Sequence, residues 1–163
     1  TCHQLHPNSH AQETFTSFEY HNIGVPVNQA VRLINGKPDG FIDNGLLENP
    51  GSEDEVEKGK FKTPTLRNVA VTEPYMHNGV FRDLRTVIEF YDHFLDGSEH
   101  IINPETGLPW ADPEVPATVA HTELSDGRRL SGQDVEALVC FLRTLTDARY
   151  ENLIENKGIN CDE

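Results

Sequence analysis

The sequence predicts a mainly α-helical domain with long ordered loops. Two stretches, 83–95 and 131–146, repeat apolar residues at the spacing of one buried helical face. The rest is rich in Asn, Gly, Pro and charged residues, the composition of turns rather than of long periodic elements. The chain has 163 residues, 36% hydrophobic and 25% charged, which suits a single folded domain and argues against disorder.

Residues 1–60 carry turn signals at Asn8-Ser9, Asn35-Gly36, Pro38-Asp39-Gly40, Asn44-Gly45 and Asn49-Pro50-Gly51, so no long helix is expected there. The Lys/Glu-rich stretch 52–62 reads as a solvated loop, with one or two helical turns as the alternative. Thr63-Pro64 has the pattern of an N-cap before a proline at the first helical position, which predicts a short helix. Over 83–95, Leu84, Val87, Ile88, Tyr91 and Phe94/Leu95 fall on one face, so Tyr91 points inward. Asp96-Gly97 stops that helix. The prolines of 101–130 make it a long ordered loop, which holds the single tryptophan, Trp110. In the second helix, Ser131 is the N-cap with Asp134 three residues on, and Val135, Leu138, Val139, Leu142 and Leu145 form the buried face. Cys140 lies within that helix and reads as a small structural residue.

Net charge is −14, from 13 Lys+Arg against 27 Asp+Glu, which argues against nucleic acid or an anionic lipid surface as partner. No apolar run approaches the ~18 residues of a membrane span. Three cysteines are too few for a disulfide framework, and their odd number leaves one for another task. Cys2-His3 matches the second half of a C-x-x-C-H motif, in which cysteines bond a porphyrin and the histidine ligates its iron; the first cysteine is then expected before Thr1. A free thiol beside a solvated histidine is one alternative. A zinc site from His3, His6, His10 and His21 is another, weakened by the absence of a C-x2-4-C pair in the sequence. Two or three helices make a thin core for this length, and a haem would supply the missing apolar centre.

Four stations of sequence add a family resemblance over nearly the whole chain. They are His21-Asn22-Ile23-Gly24-Val25-Pro26, the run from Phe61-Lys62-Thr63-Pro64-Thr65-Leu66-Arg67-Asn68 to Pro74-Tyr75-Met76-His77-Asn78-Gly79, the turn Asn103-Pro104-Glu105-Thr106-Gly107, and the closing helix from Leu130-Ser131. In this order they resemble the C-terminal haem domain of the bacterial diheme cytochrome c peroxidases and MauG. The resemblance implies a cytochrome c-like, periplasmic domain carrying covalent haem c, with residues 1–163 as one unit. It would be the C-terminal half of a two-domain enzyme whose peroxidatic N-terminal haem domain precedes it.

The resemblance also implies site residues. Cys2 tethers the haem, His3 is the proximal ligand, and Tyr91 stands where ordinary peroxidases of the family place a methionine ligand, as in MauG. Met76, the single methionine, lies in the motif itself, and a core role for Tyr91 is the bland alternative. Arg67 is a candidate for a haem propionate, His77 for a role between the domains, and the backbone carbonyls of Thr72 and Pro74 for an interdomain Ca2+. The implied function is electron transfer and charge storage in a MauG-like oxidase that uses hydrogen peroxide to oxidise a protein partner. The alternatives are a peroxidase fed electrons by a small cytochrome, and a binding module without haem.

Overall fold

The computed structural model describes residues 2–4, 13–155, 157–159 and 161. His6 and His10 of the zinc alternative, and the Asn8-Ser9 turn signal, lie outside the described residues. Four helices, α1 Gln29–Ile34, α2 Leu84–Asp92, α3 His121–Leu124 and α4 Gly132–Thr144, are joined by long loops with short 3-10 turns. Two small antiparallel ladders pin those loops. In one, β1 Tyr20–His21 pairs with β2 Phe61–Lys62, and in the other β3 Ile102–Asn103 pairs with β4 Leu108–Pro109.

Helix α2 starts where Asp83 accepts a hydrogen bond from the Arg85 amide (2.9 Å), and α4 starts with a capping box between Ser131 and Asp134. The two helices pack on each other. Tyr75, Phe81, Leu84, Ile88, Phe90, Val135, Val139 and Ile159 form the apolar core between and around them. Phe81 and Phe90 are each only 1% exposed, so this core is closely filled on the side of α2 that Phe90 occupies.

The structure corrects several expectations. No helix follows Thr63-Pro64. Thr63 is buried, its amide donating to the Glu19 carbonyl (2.8 Å) and its carbonyl accepting from the Thr16 hydroxyl (2.7 Å), so its backbone extends the β1–β2 ladder instead of starting a helix. A 3-10 turn at Val69–Val71 comes later. The loop 101–130 contains the β3–β4 hairpin, turned by Asn103 to Gly107, and the one-turn α3. In α4, Leu138 is 38% exposed and is not part of the buried face. Cys140 is not a lone core thiol. It is disulfide-bonded to Cys161, with a Cα–Cα distance of 5.5 Å, and this ties the C-terminal segment to α4.

Candidate haem site

One face of α2 serves both the core and a cavity wall. Leu84, Val87, Ile88 and Tyr91, the four helical positions whose spacing predicted an inward face, all border a cavity of about 500 Å3. Leu142 of α4, Val69 and Leu66 continue the apolar lining, and Cys2, His3, Met76 and His77 also border it. The volume lies in the range of cofactor pockets, and a large apolar group fits a lining of this kind. The thin core noted in the sequence is therefore a cavity in the fold.

The Cys2-His3 segment is held from behind. Ser17 N–H donates to the Cys2 carbonyl (2.8 Å), and His3 Nδ1 lies 2.9 Å from the Phe15 carbonyl. A carbonyl can only accept, so Nδ1 carries the proton and Nε2 keeps its lone pair for a metal. Burial pushes the His3 pKa down, against a smaller opposing effect of the Phe15 hydrogen bond, and so favours the neutral ring that can ligate. Burial also raises the Cys2 thiol pKa.

The Phe15 segment is itself laced to the Thr-Pro-Thr-Leu-Arg run. Thr65 Oγ1 donates to the Thr14 carbonyl (2.7 Å), and Arg67 Nε donates to the Glu13 carbonyl (2.7 Å) with its guanidinium 5.8 Å from the Phe15 ring centre. Arg67 does not border the cavity. It braces the backbone that orients His3.

Tyr91 is half-buried, and its accessible part faces the cavity. Its ring touches Phe90 edge-on at 6.0 Å, and its hydroxyl makes no hydrogen bond to a described residue. Burial is the main cause that pushes its phenol well above the ordinary range, and the Cys2 thiol adds to the shift. The ring alone therefore stays neutral, and a nearby cation is what would draw out the phenolate. Met76 borders the same cavity but packs against the core cluster.

The other end of the cavity is polar. His77 stacks on Phe61, with ring centres 3.5 Å apart, and burial lowers its pKa. Glu114 is ion-paired with Arg32 and accepts from the Asp43 amide (2.7 Å), while its second carboxylate oxygen is buried without a hydrogen-bond partner. Sequence reading did not single out Glu114, because a glutamate in a proline-rich loop carries no local signal. Asn22 ties the loop carrying Glu114 to the first station, donating to the Val115 carbonyl (2.7 Å) and Thr118 Oγ1 (2.9 Å). Asn78 Nδ2 donates to the Pro26 carbonyl (2.8 Å), so the first and second stations meet at the cavity.

Thr72 and Pro74 also border the cavity and are exposed. Glu73 between them is engaged by Lys157. Among the described residues no group of three or more His, Cys, Asp or Glu side chains is placed to hold a metal ion, so the zinc alternative gains no support there.

The chain is 54% identical over 156 residues to the methylamine utilization protein MauG of Paracoccus denitrificans, covering 94% of this chain and 40% of that protein. The chain belongs to the diheme cytochrome c peroxidase and MauG family. It is 62% identical over 51 residues to the cytochrome-c peroxidase IdrP1 of a Pseudomonas species, covering 31% of this chain and 13% of that one. Among solved structures, the diheme peroxidase BthA of Burkholderia thailandensis superposes with a TM-score of 0.69 at 31% identity, covering 98% of this chain and 41% of that one. A MauG-like protein associated with microbial copper homeostasis matches at 0.53 and 30% identity, over 94% of this chain and 38% of its own. No protein-family model matches. The chain thus spans about 40% of the length of the MauG it matches. The fold is the mainly helical one of this family, whose named members are diheme enzymes.

Proposed function

We propose that the chain is the electron-transfer and charge-storage haem domain of a MauG-like diheme oxidase that uses hydrogen peroxide to oxidise a protein partner. One observation carries the reading: His3 and Tyr91 border the same apolar cavity, His3 Nε2 and the Tyr91 hydroxyl each without a hydrogen-bond partner among the described residues. A covalent haem c, when bound, supplies an iron centre able to exchange electrons one at a time. Cys2 would tether it, His3 would ligate the iron through Nε2, and Tyr91 would offer a hard anionic oxygen as a further ligand. Such an oxygen favours ferric and higher states, whereas a thioether favours ferrous iron. The apolar residues of α2 surround Tyr91 on the cavity wall, and the Phe15 carbonyl holds the imidazole through Nδ1.

In this reading the N-terminal peroxidatic haem domain precedes Thr1, and the enzyme is periplasmic. His77, stacked at the polar end of the cavity, serves communication between the domains. A haem propionate extending beyond the cavity lining would meet Arg67 through its terminal nitrogens, Nε being held by the Glu13 carbonyl. The carbonyls of Thr72 and Pro74 contribute to a Ca2+ site whose other ligands come from the preceding domain, since carbonyl oxygens are suitable hard ligands.

A second reading rests on Met76, which borders the cavity as well. Its ligation would make the protein a cytochrome c peroxidase fed by a small cytochrome. The full-length enzyme separates the two. With peroxide, the MauG-like reading expects oxidised residues on a protein substrate and a resting ferric spectrum lacking a thioether-to-iron band. That band, with rapid turnover of reduced small cytochrome, would select the peroxidase.

A further inference from the structure

Resting on the reading above, we propose that Trp110 is the relay through which electrons from a protein donor or substrate enter this domain. Ring contacts around it form a continuous path. Tyr91 on the cavity wall meets Phe90 at 6.0 Å, and Phe90 meets Trp110 at 5.5 Å and 69°. Trp110 also stacks on His93 at 5.2 Å and meets Phe81 edge-on at 5.8 Å, so the indole is fixed on three sides. Phe90 is 1% exposed while Trp110 is only half-buried, and the path therefore runs from the cavity through the core to the surface. Nearby in the chain Leu108, Ile101 and Ile102 are exposed, and Trp110 itself keeps part of its surface accessible.

Chemistry selects Trp110 along this path. Indole and phenol are the side chains most readily oxidised by one electron, and phenylalanine is not, so Phe90 is a bridge and Trp110 a stopping point. Trp110 is also the single tryptophan of the chain. In the step, Trp110 gives one electron to the oxidised centre beyond Tyr91, whose oxidising equivalents come from peroxide. The indole N–H donates to the His100 carbonyl (2.7 Å), which is no base, so the proton stays and the indole becomes a radical cation. One electron from the protein donor then restores the neutral indole.

The experiment uses the full-length diheme enzyme treated with hydrogen peroxide without a protein donor, followed by peptide mass spectrometry. Without a donor the indole radical cation is trapped by dioxygen and water, and the expected result is oxygen addition on Trp110. In Trp110→Phe, the oxidised haem signal is expected to persist several-fold longer and protein-donor oxidation to fall, with an unaltered resting ferric spectrum. Oxygen addition on Tyr75, which borders the same cavity, in place of Trp110 would overturn the proposal. So would a Trp110→Phe enzyme that folds and decays at the wild-type rate. An enzyme that forms no peroxide-oxidised haem state removes the functional reading and the relay together, whereas a normal state with a silent Trp110 removes the relay alone.

Discussion

Tyr91→Phe separates a ligand from a core tyrosine, because it keeps the ring against Phe90 and removes the oxygen alone. A typical net hydrogen bond is worth about 1 kcal/mol, and the structure shows none from this hydroxyl to a described residue. A purely packing role therefore predicts a stability change well under ~1 kcal/mol and no spectral change. A ligand role predicts a ferric centre that loses one axial oxygen and becomes five-coordinate or takes water, with a new spin state. Burial adds a second signature. It pushes the unbound phenol far above its ordinary pKa, so a phenolate ligand at neutral pH would depend on the iron's charge, and reduction to ferrous iron should then weaken the bond. The assay is optical and electron paramagnetic resonance spectroscopy of the ferric full-length enzyme, wild type against variant, with denaturant unfolding as the control. An unchanged ferric spectrum in Tyr91→Phe would refute the phenolate assignment and favour Met76.

Removal of the N-cap in Ser131→Ala should cost about 1 kcal/mol in denaturant unfolding, since it opens the capping box of α4. Asp134, held below its ordinary pKa first by hydrogen bonds from Ser131, contributes stability that is present above the unfolded carboxylate pKa and lost as pH falls through its folded value. Asp134→Asn should flatten that part of the acid limb, and an identical acid limb would count against it. Cys161→Ser opens a disulfide closing a 21-residue separation and should lower stability by about 3 kcal/mol, an effect that a reductant reproduces in the wild type and not in the variant. Gly59 sits at φ +72°, where an added Cβ would fall 2.7 Å from the Cβ of Val115, so Gly59→Ala should displace the cavity rim and lower haem content per polypeptide.

How much of this was legible in the sequence depends on whether the signal was local. The face Leu84, Val87, Ile88 and Tyr91 was readable because a helix repeats every 3.6 residues, although the periodicity could not say that the face also borders a cavity. The Ser131 cap was readable because its partner Asp134 lies three residues away. The Thr63-Pro64 helix failed because Glu19 and Thr16, more than 40 residues distant, take the Thr63 backbone. The Cys140–Cys161 pairing was missed because two cysteines at that spacing carry no signature, and the three-cysteine count drew attention to Cys2 instead. The charge of Arg67 was readable, whereas its bond to the Glu13 carbonyl behind His3 is a contact that only the fold creates.

The most direct test of the haem-site assignment is acid-acetone treatment of the full-length enzyme followed by mass mapping of the peptide that contains Cys2 and His3. Covalent attachment at Cys2 predicts that this peptide keeps a haem through extraction and digestion. A Cys2 peptide of unmodified mass, with the haem in the organic phase, would contradict it.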